Sequence, residues 1–454
     1  MCGIIGVFNH KGAAELAALG MFAEQHRGQE SCGMAVSDGK VFTLRKKMGL
    51  VKQVFTPEIL GKMKGKVAIG HVRYPTKGSA TAYNSQPHTV ESLYGATYAL
   101  ASNGDVVNYY EVKEELERKG VYFNSENDGE LILKYIIYQI QAEGMTIVEA
   151  IKSMMKKIKG AYSTVLATPD KLYMIRDPYA IRPMVWGKMK NGTVIVASES
   201  CALDIIGVEN RLEVPPAGII EVSERDIKIF ENDPNDYRFY PEERHCIFEL
   251  IYFSRPDSFH FDENVYEVRK KIGAMLALKD DVQPDVVVPV PDSANFMAVG
   301  YANQKNCYFS MGLIRNHYVG RTFIKPEQSS RDESVSQKFS TLPNFFTGKK
   351  VVLVDDSIVR GTTIKQIVNM IRKAGAAEIH LRIGSPAVKN SCYYGIDTPN
   401  ATELIANQKS LEEIRDYAGA DSLKHIELED LLKCVKTNEY CHACFSGVYP
   451  IKLG

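Results

Sequence analysis

The run "VVLVDDSIVRGTT", residues 351–363, decides the architecture of the second half of the chain. Val351 to Val354 are consecutive apolar residues, the pattern of a strand covered on both faces in a parallel sheet. They end in Asp355 and Asp356. The segment from Ser357 to Thr363 then leads into "TTIKQIVNMIRKAGA", whose apolar residues recur at helical spacing until Gly375. "EIHLRIGS" (378–385) supplies the next buried strand and "DVVVPV" (285–290) an earlier one. Strand, polar loop, helix and strand form a βαβ unit, so this half is an α/β domain with a parallel sheet.

Moving outward, the loop after Asp356 brings amides and hydroxyls to a helix N-terminus, where a monophosphate can sit. The adjacent carboxylates can accept hydrogen bonds from a vicinal diol or bind Mg2+ through oxygen, which together suits a ribose 5-phosphate ligand. An acidic turn before a capped helix also occurs in doubly wound folds with no such role. "VVVPVPDSAN" (286–295) is a second strand running into a tight polar turn, which taken alone is a proline turn. The tail "SLEEIRDYAGADSLKHIELEDLLKCV" is predicted to form two short helices, the first opened by a Ser410 to Glu413 capping box.

The first half follows a different pattern. Through about residue 225, short segments such as "GIIGVF", "VAIGHVRY", "TYALASNG" and "GIIEVSE" alternate with Gly, Asn, Asp and Lys turns, which predicts antiparallel sheets. Helical patterns interrupt them at 109–119 and 129–157. "FENDPNDYRFYPEERH" (230–245), polar and carrying two prolines, reads as the linker. A chain of 454 residues exceeds what one core supports, in keeping with two domains, expected at 2–232 and 233–454. Lys plus Arg and Asp plus Glu both number 55, so no overall field draws nucleic acid or an anionic membrane. A small-molecule partner and a cytoplasmic setting fit better, since no apolar run is long enough to span a bilayer. The nine cysteines do not resemble a secreted disulfide framework.

One of them opens the chain, in "MCGIIGVFNH". Removal of Met1 is expected to leave Cys2 with a free α-amine beside its thiol, a nucleophile and a base on one residue. Read alone, Cys2 is equally a small apolar residue on a strand. Near the other end, "YCHACFSG" places Cys441 and Cys444 two residues apart, a spacing that lets both sulfurs face one metal, zinc or iron.

The residues 351–363 match the phosphoribosyl diphosphate (PRPP) motif of the type I phosphoribosyltransferases. With "CGIIGVF", "HRGQES", "GHVRYPT", "SNGDVVN", "RDPYAIRP", "RPDS" and "YVGRTFI", the chain resembles the amidophosphoribosyltransferases, in their iron-sulfur branch, over essentially its full length. The resemblance implies an N-terminal-nucleophile hydrolase domain, a class II glutaminase of stacked antiparallel sheets between helices, followed by the phosphoribosyltransferase domain. It implies that Cys2 attacks the side-chain amide of glutamine, and that the ammonia released passes to C1 of PRPP, giving 5-phosphoribosylamine at the start of purine synthesis.

By the same resemblance Asn103 and Gly104 form the oxyanion site, while Arg73, Thr76 and Asp128 bind glutamine's charged groups. Asp355, Asp356, Ser357, Arg360, Gly361, Thr362 and Thr363 bind PRPP, with Mg2+ held by Ser293, Asp355 and Asp356. Cys246 and Cys392 join Cys441 and Cys444 as ligands of a 4Fe-4S cluster, leaving Cys32, Cys201, Cys307 and Cys434 as packing thiols. Purine nucleotides are expected as feedback inhibitors, and a dimer or tetramer as the assembly. Residues 318–339 are expected to form a lid over PRPP. Three positions depart from the family pattern: Ala294 and Ala180 stand where glycine is usual, and Asp105 where asparagine is usual. A PRPP-sensing regulator and another class II amidotransferase are the rival readings; the first has no use for a glutaminase, and the second none for residues 351–363.

Overall fold

The computed structural model describes residues 1–74, 81–93, 95–232, 236, 242–317 and 338–452. Two antiparallel sheets lie face to face in the first half. One runs, in spatial order, through Leu212–Glu213, Val185–Lys188, Val194–Ala197, Gly3–Phe8, Val67–Arg73, Ser31–Ser37 and Phe42–Met48. The other runs through Gly95–Val106, Gly160–Thr168, Lys171–Arg176, Ile219–Val222 and Ile227–Phe230, with His88–Ser92 paired to the long Gly95–Val106 strand. A single pairing, Phe42 with Ala96, joins them at one edge.

The central strands do not alternate buried and exposed residues, because both faces of each sheet are covered. Gly3–Phe8, Ser31–Ser37, Val67–Arg73 and Gly160–Thr168 are buried at every residue. Ile4, Phe8 and Ile69 meet Ala101, Val165 and Met174 between the sheets. Ile5 and Val7 pack outward on Ala14, Ala17 and Met21 of the helix Ala13–Ala23. Leu100 and Leu166 pack outward on helices Tyr109–Arg118, Asp128–Ala142 and Ile147–Lys157 through Val112, Ile136 and Met154. The domain is therefore a four-layer sandwich, helices outside and sheets inside. The single helix expected over 129–157 is two. Gly144 at φ +65° breaks it, and Thr146 opens the second with a capping box to Glu149.

In the second half, Val286–Pro289, Lys350–Asp355, Glu378–Ile383 and Ser422–His425 form a parallel sheet in that order. Val287, Val352 and Val354 face Ile272 and Met297 of helices Val265–Leu278 and Asn295–Lys305. Val351, Leu353 and Leu381 face Ile367 and Ile371 of helix Thr362–Lys373. The tail does contain the Ser410-capped helix, Leu411–Ala418, and a second short one, Leu428–Leu432. Between them Ser422–His425 is a strand rather than a connection, recruited by pairing with Glu378–Ile383. Among the described residues no helix is long and apolar enough to cross a membrane. The expected boundary at 232/233 lies at the edge of a stretch outside the described residues, and of the lid expected at 318–339, residues 318–337 lie outside them. The flanks of the latter, Leu313–Arg315 and Phe339–Thr341, pair antiparallel, so its two ends meet on one ribbon.

A buried ion pair fastens this domain internally. Arg382 donates through Nε and Nη2 to the Asp280 carboxylate, which also accepts from the Tyr301 hydroxyl. Burial opposes ionisation of Asp280, but these hydrogen bonds win and bring its pKa down to about 2. A carboxylate depressed in the folded state stabilises above its unfolded pKa of about 3.9 and loses that contribution as pH falls towards about 2. Asp280→Asn is expected to cost about 3 kcal/mol at pH 6, the penalty for a buried arginine left unpaired. The gap in melting temperature between it and the parent should narrow below about pH 4, as thermal melts across pH will read.

Candidate active sites

Cys2 precedes the first strand, whose Gly3 pairs with Val72, and so it sits at the end of the sheet where Val67–Arg73 terminates. Its backbone nitrogen donates to Asn103 Oδ1 at 3.1 Å, and its carbonyl accepts from Arg27 Nε at 2.9 Å. The thiol lies 3.5 Å from the Tyr74 carbonyl oxygen. Asn103 is fully buried in the strand Gly95–Val106, and its Nδ2 has no partner among the described residues. Because its Oδ1 is committed to Cys2, the amide is oriented with an unspent donor beside the thiol. A buried donor without a partner costs about 1–3 kcal/mol, a cost that an oxyanion would relieve. Gly104 follows it, and a Cβ there would come within 1.8 Å of the Ala161 carbonyl oxygen, so only glycine fits.

Arg73 is 2% exposed, not the solvated charge that its residue type favours, and its Nη1 pairs with Glu30 Oε2 at 2.6 Å. Asp128 is the first residue of the helix Asp128–Ala142. That turn is tied to the strand carrying Asn103 through Gln86, whose side chain accepts from Ser102 N at 2.7 Å and donates back to Ser102 O. Gly129 lies against the same Gln86 amide. Thr76 lies outside the described residues. His71 is fully buried and pushed down to about 3, chiefly by burial, so it is no base at neutral pH.

Sequence reasoning passed over Arg27, although "HRGQES" contains it. It is fully buried and pairs with Glu199 and, at 2.8 Å and 3.0 Å, with both oxygens of Glu249 in the second domain. Arg182, in "RDPYAIRP", is also fully buried and donates to the Tyr394 carbonyl of the second domain. No periodicity marks such residues, since the partners just named lie more than 170 positions away.

The second site lies at the carboxyl ends of adjacent parallel strands, Val286–Pro289 and Lys350–Asp355, where α/β sheets offer their ligand crevice. Ser293 Oγ donates to Asp356 Oδ2 at 2.5 Å and Ser357 Oγ to Asp356 Oδ1 at 2.6 Å, while Asp355 Oδ1 accepts from Asp356 N. Both carboxylates are pushed up, Asp355 by burial and then by Asp356, and Asp356 by burial against the opposing pull of Ser293, Ser357 and Arg269. Two buried acids that resist ionising together suit a site completed by a cation or by hydroxyl donors.

Gly361, at φ +77°, turns the chain into the helix Thr362–Lys373, whose first two residues expose their hydroxyls. Arg360 is half-exposed and pairs with Glu403 at 3.1 Å. Asp292 pairs with Arg315 at 2.5 Å, linking the "VPDS" turn to the ribbon beside residues 318–337. Ala294 has φ −88°, so the missing glycine demands no unusual backbone there. Ala180 is held at φ +49°, a left-handed conformation that glycine would occupy without strain.

Cys246 and Cys441 sit opposite each other on paired strands, and Cys246, Cys392, Cys441 and Cys444 all line one small cavity with Arg182, Tyr394 and Tyr449. The Cys444 thiol is pushed up by burial and then by the other three, which places all four in electrostatic range. Among the described residues no three His, Cys, Asp or Glu side chains are close enough to hold a single metal ion. Cys32, Cys201, Cys307 and Cys434 do not line the cavity.

Residues 76–204 match the glutamine amidotransferase domain family and residues 263–397 the phosphoribosyl transferase domain family. The chain is 45% identical over 455 residues to amidophosphoribosyltransferase 2, chloroplastic, of Arabidopsis thaliana, covering 99% of this chain and 79% of that one. It is 42% identical to the amidophosphoribosyltransferase of Methanocaldococcus jannaschii, covering 100% and 98%. A solved glutamine PRPP amidotransferase from B. subtilis, complexed with ADP and GMP, superposes with a TM-score of 0.91 at 40% identity, covering 100% and 98%. A structure described as the allosteric regulatory enzyme of purine biosynthesis superposes at 0.92, also 40% identical, covering 100% and 97%.

Proposed function

The chain belongs to the amidophosphoribosyltransferase family, and from that premise we propose which of its residues perform each step. The enzyme transfers the amide nitrogen of glutamine to C1 of PRPP, yielding 5-phosphoribosylamine, diphosphate and glutamate in purine biosynthesis.

The observation that carries the first half-reaction is the buried Asn103 amide, clamped to the Cys2 nitrogen with its own donor unspent. With Met1 removed, that nitrogen is an α-amine of ordinary pKa about 7.7–8.0, able to take the thiol's proton near neutrality. The Cys2 sulfur attacks the glutamine amide carbon, and the oxyanion meets Asn103 Nδ2 and the Gly104 amide. The α-ammonium then returns its proton to the departing ammonia. Water hydrolyses the thioester to glutamate, restoring Cys2. Arg73 and Thr76 hold the substrate's α-carboxylate and Asp128 its α-ammonium. Arg73 reaches this role from a guanidinium already aimed by Glu30.

In the second half-reaction, the Ser357–Thr363 loop holds the 5-phosphate, and Asp355 and Asp356 hold the ribose hydroxyls. The turn at Ser293 approaches the diphosphate. Ammonia attacks C1 as diphosphate leaves with the bond's electron pair. Ser293, Asp355 and Asp356 are the residues that would hold Mg2+, whose charge offsets that of the departing diphosphate. Purine nucleotides, as in the B. subtilis relative, are the expected feedback ligands. The assembly is a homo-oligomer, dimer or tetramer, of the cytoplasm.

The decisive assay measures phosphoribosylamine formation by anaerobically purified protein with glutamine or with ammonium. Turnover with both is expected, and binding of PRPP without turnover would make the chain a sensor.

Cys246, Cys392, Cys441 and Cys444 are proposed to hold a 4Fe-4S cluster. Neither half-reaction moves electrons, so its service is structural, joining chain segments distant in sequence, or the sensing of oxygen. Anaerobic protein should be brown with about four irons per chain. Cys441→Ser should lower iron content and melting temperature more than it lowers the turnover of the protein that remains folded. One zinc in a colourless protein would refute the cluster.

A further inference from the structure

The loop that carries Cys392 reaches the glutaminase site itself. Gly395 lies against Gly104: a Cβ on Gly395 would stand 3.0 Å from both the carbonyl carbon and the carbonyl oxygen of Gly104. On its other side the Gly104 backbone abuts Ala161, at 1.8 Å from the place a Cβ would take. The Cα and carbonyl of Gly104 are thus held between a strand of its own sheet and a loop of the other domain, with the Cα one bond from the Gly104 N–H.

That loop is pinned from three directions. Arg182, from the first domain, donates to the Tyr394 carbonyl at 2.7 Å through Nε and again through Nη2. The Tyr394 hydroxyl donates to Ile451 O at 2.8 Å and accepts from Ile451 N at 3.1 Å. Thr398 Oγ1 accepts from Cys392 N at 2.7 Å and closes the loop on itself. Gly395 has φ +105°, which residues with a side chain rarely adopt. Next to these residues lies a cavity lined by Asp105, Val107, Cys392, Tyr393, Ile396, Asp397 and Thr398.

We propose that Gly395 is a positioning residue of the glutaminase: by bearing on the Gly104 Cα and carbonyl, the phosphoribosyltransferase domain keeps the Gly104 N–H in register with Asn103. This rests on the reading of Asn103 and Gly104 as the oxyanion site. Displacing one oxyanion donor by a fraction of an ångström weakens only the interaction that forms in the transition state. Such a change lowers kcat and spares ground-state binding.

The test is Gly395→Ala in the full-length enzyme, with Thr398→Val as the milder variant that opens the same loop without adding bulk at Gly104. For Gly395→Ala, glutamine-dependent kcat should fall about tenfold or more while KM for glutamine and ammonium-dependent synthesis stay within about twofold. Thr398→Val should fall in the same direction by a few-fold. A purely structural role would lower both syntheses together, and that result overturns the proposal. So does glutamine-dependent kcat within about twofold of the parent in Thr398→Val, whether or not Gly395→Ala folds. Persistence of glutamine-dependent synthesis in Cys2→Ala would instead overturn the reading beneath it.

Discussion

Cys2→Ala should lose glutamine-dependent phosphoribosylamine synthesis by at least about 10⁴-fold, the scale seen when a covalent nucleophile is removed, and keep synthesis from ammonium. The selectivity follows from how the residue is held. Cys2's bonds to Asn103 and Arg27 use its backbone nitrogen and carbonyl, so alanine retains both. The thiol's own contact is a 3.5 Å approach to Tyr74 O, too weak for its loss to disturb the fold. Steady-state assays with each nitrogen donor check this. Equal loss of both activities would mean that Cys2 matters for structure rather than for amide attack.

Asp356→Asn should show the reverse: both syntheses reduced by about 10²- to 10³-fold, with basal glutamine hydrolysis still measurable. The carboxylate is the acceptor for Ser293 and Ser357 and shares its burial with Asp355. Removing its charge leaves the site one acid short for a cation or a diol. It does not weaken the protein. Both carboxyls have pKa values raised above the ordinary range, so the folded state pays for ionising them as pH rises from about 4. Relieving that repulsion should leave the melting temperature at neutral pH equal to or above the parent's, as a thermal melt will read. A variant that still used ammonium well would remove Asp356 from the PRPP site.

Much of the second domain was legible because parallel strands are locally conspicuous. "DVVVPV" and "KKVVLVDD" carry continuous apolar runs and "EIHLRIGS" repeats Ile, Leu and Ile at alternate positions, and each stretch contains a strand that ends one or two residues before it does. "SLKH" carries no such run and escaped notice, since its pairing with Glu378–Ile383 supplies what its composition lacks. The split helix at Gly144 was written in the sequence, as Gly followed by a Thr146 to Glu149 capping box, but the apolar periodicity on both sides masked it. For Arg73 the motif pointed to charge recognition, whereas its burial and its Glu30 partner came from sheet pairing between Ser31 and Arg73.

By itself the sequence determined the chemistry available: an amino-terminal thiol, an acid pair before a phosphate loop, and more cysteines than packing requires. Those are properties of residue types and short spacings, set by covalent geometry and local hydrogen bonding. Only the tertiary structure decided which distant groups share a volume. Arg27 meets Glu249, Arg182 meets Tyr394, and Gly395 rests on Gly104 across separations of more than 200 positions. The physical reason is that a buried charge or an unsubstituted backbone must find its partner somewhere, while nothing in its own neighbourhood records where. Those contacts bring the second domain against the surroundings of Cys2 and the Gly104 backbone.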